Sequence, residues 1–231
     1  MPQIKDSLYE QLNPLTTVAG QHFVEDFSGD TLDTFRWGVR QSGSSSTFGM
    51  DDSVNGGFKI SNVAESNNQV AIGFCADGSS AVINSVRPFN HAGCEAILVM
   101  KFDSTSGNYD FAGAGGGFSK NVNLSAGGSD CCLVNVNAYE GQYYALRTSD
   151  STGNQSCGSA CVSSVALDAN YHVFKLRCGG GSTSEWVDGI LKITNTDRQP
   201  TEQMGMNFSS SGDNSNTTFL NIAYCEAWNT A

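Results

Sequence analysis

The sequence predicts an all-β protein: two antiparallel sheets packed face to face as a sandwich. Three observations carry that expectation. Apolar and polar residues alternate with period two through much of the chain. The alternating segments are separated by Gly, Asn, Ser and Asp clusters, among which Asp188-Gly189 has the chemistry of a two-residue hairpin loop. The 231 residues include 26 Gly and only 4 Pro, and the apolar runs are too short and too regularly interrupted for many helices. With no repeat and no composition break to mark a linker, the simplest division is a polar arm, residues 1–20, and one domain, residues 21–231.

Taken in order, His22 to Phe27 reads as the first strand, followed by a segment anchored by Leu32, Phe35 and Trp37. Gln41 to Gly57 reads as a Ser/Gly/Asp loop carrying Phe48 and Met50, long enough to line a groove or cover an edge. Strands are expected at Phe58–Val63, Gln69–Cys75, Ala81–Phe89 and Gly93–Asp103. The consecutive Ile97, Leu98, Val99 and Met100 mark the last of these as a central strand buried on both faces. Asn108 to Phe118 is glycine-rich but lacks the lysine of a phosphate loop, so its glycines read as sites of close backbone approach or a bulge.

Two hairpins follow. With Glu140-Gly141 as a two-residue loop, Cys132, Val134, Val136, Ala138, Tyr143 and Ala145 share an apolar face. Leu133, Asn135, Asn137, Tyr139, Gln142 and Tyr144 then share the other. From Tyr171 to Thr196 a three-stranded meander is expected, with His172, Phe174, Leu176 and Cys178 on one side of its first strand. The Asp188-Gly189 turn sets Val187 opposite Ile190 and Trp186 opposite Leu191. Trp186, Leu191 and Ile193 are then expected in the core, and Glu185 and Lys192 as an exposed cross-strand pair.

At these residues a family resemblance emerges. Tyr-His-Val-Phe-Lys-Leu followed by Trp-Val-Asp-Gly-Ile-Leu resembles the meander of the concanavalin A-like lectin/glucanase superfamily, and HFVEDFSGDTLDTFRWGV from His22 is similar to its opening. The resemblance implies a two-sheet antiparallel jelly-roll sandwich whose last strand, Thr217 to Trp228, returns beside the first, with Trp37 in the core. It implies glycan hydrolases, lyases or non-catalytic glycan-binding domains as relatives, and calcium as a cofactor some of them carry; the scattered Asp and Asn here identify no ligand set.

The net charge of −11, with 12 Lys+Arg, disfavours nucleic acid as a partner, which requires a concentrated positive surface. A neutral glycan or a protein surface fits better. No apolar run approaches a membrane span, so no membrane insertion is expected, and residues 1–20 lack the apolar core of a secretory signal. Cys75, Cys94, Cys131, Cys132, Cys157, Cys161, Cys178 and Cys225 are an even number that favours disulfides in an oxidising environment, with buried free thiols the alternative for Cys94 and Cys178. Cys157-Gly-Ser-Ala-Cys161 with Cys131 and Cys132 is a weak zinc pattern.

Catalytic motifs are missing. The glucanase branch of the resembled family carries its acids as Glu-x-Asp-x-x-Glu on one strand, and no such run exists here; Glu25-Asp26, Glu95, Glu140, Glu185 and Glu226 each lack a same-face carboxylate two residues away. The lyase branch's Gln-x-His and arginine-rich strands are also absent, as is a Gly-x-Ser-x-Gly elbow. His172, sharing a face with Phe174 and Leu176, reads as a satisfied core histidine. The amides and phenols of Asn135, Asn137, Tyr139, Gln142 and Tyr144 are the candidate glycan-binding strip; the same alternation also describes an ordinary solvated face.

Together these features lead to an expectation of a non-catalytic, oligomeric surface module, a virion decoration or fibre protein on a virus particle or an extracellular protein, that binds glycan or its capsid neighbours. The competing expectation is a secreted polysaccharide hydrolase or lyase. Asn123, Asn154, Asn207 and Asn216 stand in glycosylation sequons.

Overall fold

A computed structural model describes residues 21–230 except 35, 44, 52–56, 63–68, 75–85, 105–112, 121–129, 138–142, 153–154, 157–161 and 212–216. The 1–20 arm, the start of the strand expected from Ala81, and Cys75, Cys157 and Cys161 therefore lie outside the described residues. Those described form strands and connections, with no helix.

Sheet A contains β1 (His22–Glu25), β3 (Thr47–Met50), β4 (Phe58–Asn62), β6 (Gly93–Ser104), β12 (His172–Gly179), β13 (Ser182–Val187), β14 (Ile190–Asn195) and β16 (Thr218–Asn229). Sheet B contains β2 (Trp37–Ser42), β5 (Gln69–Phe74), β7 (Gly113–Ser119), β8 (Cys131–Asn137), β9 (Tyr143–Ser149), β10 (Gln155–Ser156), β11 (Val162–Ala166) and β15 (Gly205–Ser211). Sheet A runs β14-β13-β12-β6-β16-β4-β3 with β1 also on β16, and sheet B runs β10-β9-β8-β7-β15-β5-β2 with β11 also on β9. All pairings are antiparallel, and the last strand does return to the first, His22 opposite Trp228. The architecture is the expected two-sheet antiparallel jelly-roll sandwich.

The core lies between the sheets. Phe23, Phe27, Trp37, Phe58, Phe74 and Phe208 interlock there at ring separations of 4.6 Å for Phe23–Phe74 to 6.4 Å for Phe27–Phe208. Trp37, expected as core, is fully buried, and its indole N–H points to Glu25 Oε2 at 3.3 Å. β6 is central in position, between β12 and β16, but its buried side chains are the inward set Cys94, Ala96, Leu98, Met100 and Phe102. Ile97 and Val99 on its outer face are half-buried. The segment read as a loop from Gln41 includes part of β2 and all of β3; two strands this short lack enough alternation to show in the sequence. Of the strand expected to end at Phe89, the described part makes one isolated bridge, Phe89 to Met204.

The meander has its turn where expected, with Asp188 and Gly189 at φ 51° and 79°, and Val187 facing Ile190. The faces of β12 and the inward Ile193 are as expected, but β13 and Leu191 are the reverse of the expectation. β12 buries Phe174, Leu176 and Cys178, and these pair with Val187, Glu185 and Thr183, so those three β13 side chains point inward. Trp186 is turned outward beneath Lys175, whose Nζ lies 5.5 Å from the ring centroid, and Leu191 is 52 % exposed. Glu185 is fully buried instead of pairing with Lys192, and an irregularity next to Trp186 brings Ile193 opposite it and into the core. Hydrophobicity alone favours Trp186 over Glu185 for the core; pairing to the strongly apolar β12 decides otherwise.

His172 is satisfied, as expected. Its Nδ1 lies 2.7 Å from Asp188 Oδ2 and its Nε2 3.1 Å from Asp168 Oδ1, while the ring packs edge-on to Tyr144 at 5.5 Å. Burial pushes the imidazole pKa down, but the bonds to Asp188 and Asp168 outweigh it and raise it. A group with a raised folded pKa stabilises fully below its unfolded value and loses that effect as pH rises through the folded one. His172→Gln is therefore expected to lower the thermal midpoint by several degrees at pH 5.5 and by clearly less at pH 8.5; an equal drop at both would show that the ring acts only by packing.

Candidate functional site

The predicted binding strip lies on the hairpin β8–β9, and the register of that hairpin decides which side chains it contains. Asn137 pairs with Tyr143 and Asn135 with Ala145, so residues 138–142 connect the strands in place of a two-residue loop. An odd-length connection leaves the faces of β8 as expected and inverts those of β9. Cys132, Val134 and Val136 face the core together with Tyr144, Leu146 and Thr148. Tyr144 therefore leaves the candidate set. It is 2 % exposed, stacks edge-on against Phe174 at 4.9 Å, and accepts a hydrogen bond from the Phe102 N–H at 3.4 Å. Tyr139 and Gln142 lie outside the described residues.

The outer face of this hairpin carries Cys131, Leu133, Asn135 and the Asn137 position on β8, with Tyr143, Ala145, Arg147 and Ser149 opposite on β9. Cys131 and Leu133 form a small apolar cluster of their own, separate from the main core. Asn135, Tyr143 and Arg147 are half-buried, whereas Leu133, Ala145 and Ser149 are buried. An amide, a phenol and a guanidinium thus remain reachable on one surface. Desolvation pushes the Arg147 guanidinium below its ordinary pKa while leaving it charged. Sequence reasoning missed Tyr143 because of the loop length, and missed Arg147 because it sought only amides and phenols.

The strip continues across the sheet on a floor of small residues. Gly115 pairs with Asn135 on one side and Ser209 on the other, and Asn207 lies between Gly73 and Gly117. Met206 and Phe208 face inward, and Ser210 accepts a 2.8 Å bond from Asn62 of sheet A, so Asn207 and Ser209 point to the outer face. Both are fully buried, and neither the Asn207 carboxamide nor the Ser209 hydroxyl has a hydrogen-bond partner. This sequon asparagine is thus inside the folded protein; the asparagines of the other three sequons lie outside the described residues.

Among the described residues, no strand of sheet B contains an Asp or Glu, and the charged residues in its strands are Arg40 and Arg147. The strand carboxylates, Glu25, Glu95, Asp103, Glu185 and Glu226, all belong to sheet A. Acid–base hydrolysis of a glycoside needs one ionised and one protonated carboxyl close together. Asp168 and Asp188 share His172, but hydrogen bonds outweigh their partial burial and hold both below the ordinary carboxylate range, so both are ionised. Glu185 is pushed up to about 8 by burial but is sealed in the core. Among the described residues no three His, Cys, Asp or Glu side chains are placed to hold a metal ion.

Tyr143 and Tyr144 give a direct test of this register. Tyr144→Phe is expected to leave any ligand affinity of the strip unchanged, because the phenol it alters faces the core, whereas Tyr143→Ala removes a surface ring.

No family model and no curated protein sequence matches the chain. Solved structures do. Apo Crh5 transglycosylase is 14 % identical, with a TM-score of 0.58 over 95 % of this chain and 91 % of that one. A Bacillus licheniformis β-glucanase is 12 % identical, with a TM-score of 0.58 over 92 % of this chain and 99 % of that one. The carbohydrate recognition domain of Emp47p is 11 % identical, with a TM-score of 0.52 over 88 % of this chain and 99 % of that one. At such identities the likeness concerns the fold, and it agrees with the resemblance carried by the opening segment and the meander: the chain folds as a concanavalin A-like lectin/glucanase jelly roll.

Proposed function

We propose that this protein is a non-catalytic glycan-binding jelly roll whose ligand, a neutral oligosaccharide, lies across Asn135, Tyr143 and Arg147 on the outer face of sheet B. The observation that carries this reading is the composition of that sheet: hydrogen-bonding amide and guanidinium groups and a phenol ring share a surface whose strands hold no carboxylate. Tyr143 offers a face for a sugar ring, and Asn135 and Arg147 direct bonds to its hydroxyls. Structural neighbours that are a carbohydrate recognition domain and glycan-processing enzymes support a saccharide ligand.

The enzymes among those neighbours favour a second reading, polysaccharide hydrolysis or transfer, and one experiment separates the two. Binding to an array of neutral oligosaccharides, with a reducing-end assay on the same sugars, is expected to give affinity without turnover. Tyr143→Ala and Arg147→Ala should each weaken Kd at least tenfold, about 1.4 kcal/mol, with Tyr144→Phe as the unaffected control. Release of any new reducing end would overturn the non-catalytic reading. A narrower reading, a virion or extracellular surface module attached through residues 1–20, is supported by the polar arm and the acidic charge. Deleting those residues is then expected to abolish attachment and leave the domain folded.

A further inference from the structure

Three thiols from the two sheets meet inside the core. Cys94 of β6 and Cys178 of β12 are direct partners in sheet A, Cys132 comes from β8 of sheet B, and all three are at most 1 % exposed. Strand β8 packs against β12 across the core, which places Cys132 near Cys178, whose sulfur lies 3.4 Å from Thr183 Oγ1. Glycine allows the sheets this approach. A Cβ on Gly117, next to the Cys132 pairing on β7, would fall 2.8 Å from Leu176 Cδ1 of β12 and 2.6 Å from the Cys132 carbonyl oxygen. The other two described cysteines are elsewhere: Cys131 faces the outer side of sheet B, 3.3 Å from Ser149 Oγ, and Cys225 sits on β16.

Neighbouring buried thiols have two common uses, metal binding and disulfide formation. The placement does not suit a metal, since no three ligating side chains among the described residues converge on one point. A disulfide needs only two sulfurs in reach with suitable Cβ separation, and Cys178 has one cysteine opposite it in the ladder and another across the core.

We propose that Cys178 is the pivot of a one-disulfide site, bonding to either Cys132 or Cys94 and leaving the third thiol reduced. The chemistry balances with a small disulfide such as oxidised glutathione as oxidant. The Cys178 thiolate attacks one glutathione sulfur, forming a mixed disulfide and releasing one glutathione as thiolate. The neighbouring cysteine, as thiolate, then attacks Cys178 Sγ and displaces the second glutathione. Two protein thiols lose two electrons and two protons, which convert the oxidant to two thiols. Because all three are sealed in the native core, the bond forms as the sheets close during folding.

The test is to refold the full chain from the reduced, denatured state in a glutathione buffer rich in the oxidised form. Remaining thiols are then alkylated and the cross-linked peptides mapped by mass spectrometry. The expected product is one cross-link joining Cys178 to Cys132 or Cys94, with a thermal midpoint about 5–10 °C above that of the reduced protein. Cys178→Ser should form no cross-link within the trio. Wild-type mapping decides the matter even if that variant does not fold: an alkylated Cys178, or a Cys178 bonded to a cysteine outside the trio, overturns the proposal.

Discussion

Replacing Glu185 with Met should stabilise the protein at pH 8 by about 5 kcal/mol relative to wild type, and should flatten the dependence of stability on pH. Glu185 points between the sheets, fully buried, and neither carboxyl oxygen has a hydrogen-bond partner. Its neighbours across the ladder are Leu176 and Ile193. With no hydrogen-bond partner to replace water, burial pushes its pKa from 4.5 to about 8. Between those values the unfolded chain has released the proton that the folded protein still holds. The unfolded state therefore binds fewer protons, and stability falls as pH rises across this window. A shift of this size corresponds to about 5 kcal/mol, at ~1.36 kcal/mol per unit. Glu185→Gln should remove the Glu185 part of the slope, leaving the smaller one from His172, but keep some penalty, because an amide in that position is still unpaired. Urea denaturation at pH 5, 6.5 and 8 measures both effects. A wild-type midpoint that rose across that range would mean Glu185 reaches water, and hence that β13 presents its other face to the core.

Glu185 also shows where sequence patterning stops being sufficient. The alternation in β12 was readable because Phe174, Leu176 and Cys178 leave no doubt about the inward side. β13 presents Thr183, Glu185 and Val187 on one face and Ser184 and Trp186 on the other, and by hydrophobicity the face with Trp186 is chosen. Only the register with β12, a non-local fact, reverses the choice. The binding strip failed in a related way. β8 was correct because its apolar set is unambiguous, but β9 depended on a loop length, and one residue exchanged Tyr144 for Tyr143. Asn207 and Ser209 carried no signal beyond a sequon, since a polar residue alternating with Met206 and Phe208 looks solvated until the sheet is assembled. By contrast, the Asp188-Gly189 turn, which needs positive φ at both positions, was visible in local chemistry, and the family resemblance had implied the last strand beside the first and Trp37 in the core.

Gly115→Ala is expected to destabilise by about 3–5 kcal/mol, the range of severe overpacking. The cause is backbone, not side chain. A Cβ at this position would stand 2.0 Å from the Val134 carbonyl oxygen and 3.1 Å from the Asn135 Cα, both part of the strand to which β7 is hydrogen-bonded. Moving β8 away breaks its ladder with β7, and β9 is attached behind it. Gly116→Ala differs in kind, because its Cβ would meet the Phe208 ring at 2.2 Å, and a smaller side chain at 208 can make room. Phe208→Leu should therefore recover part of the loss in Gly116→Ala and none in Gly115→Ala. Gly49→Ala is the control: nothing lies within 4 Å of its Cβ position, so its urea midpoint should change little. The consequence reaches the candidate site, since Gly115 sits directly beside Asn135 in the ladder. Any Gly115→Ala protein that remains folded at low temperature should bind the oligosaccharide more weakly, having displaced Asn135 from Tyr143 and Arg147. An unchanged denaturation midpoint would instead mean that β7 does not pair with β8 in this register, and the glycine floor of the strip would have to be abandoned.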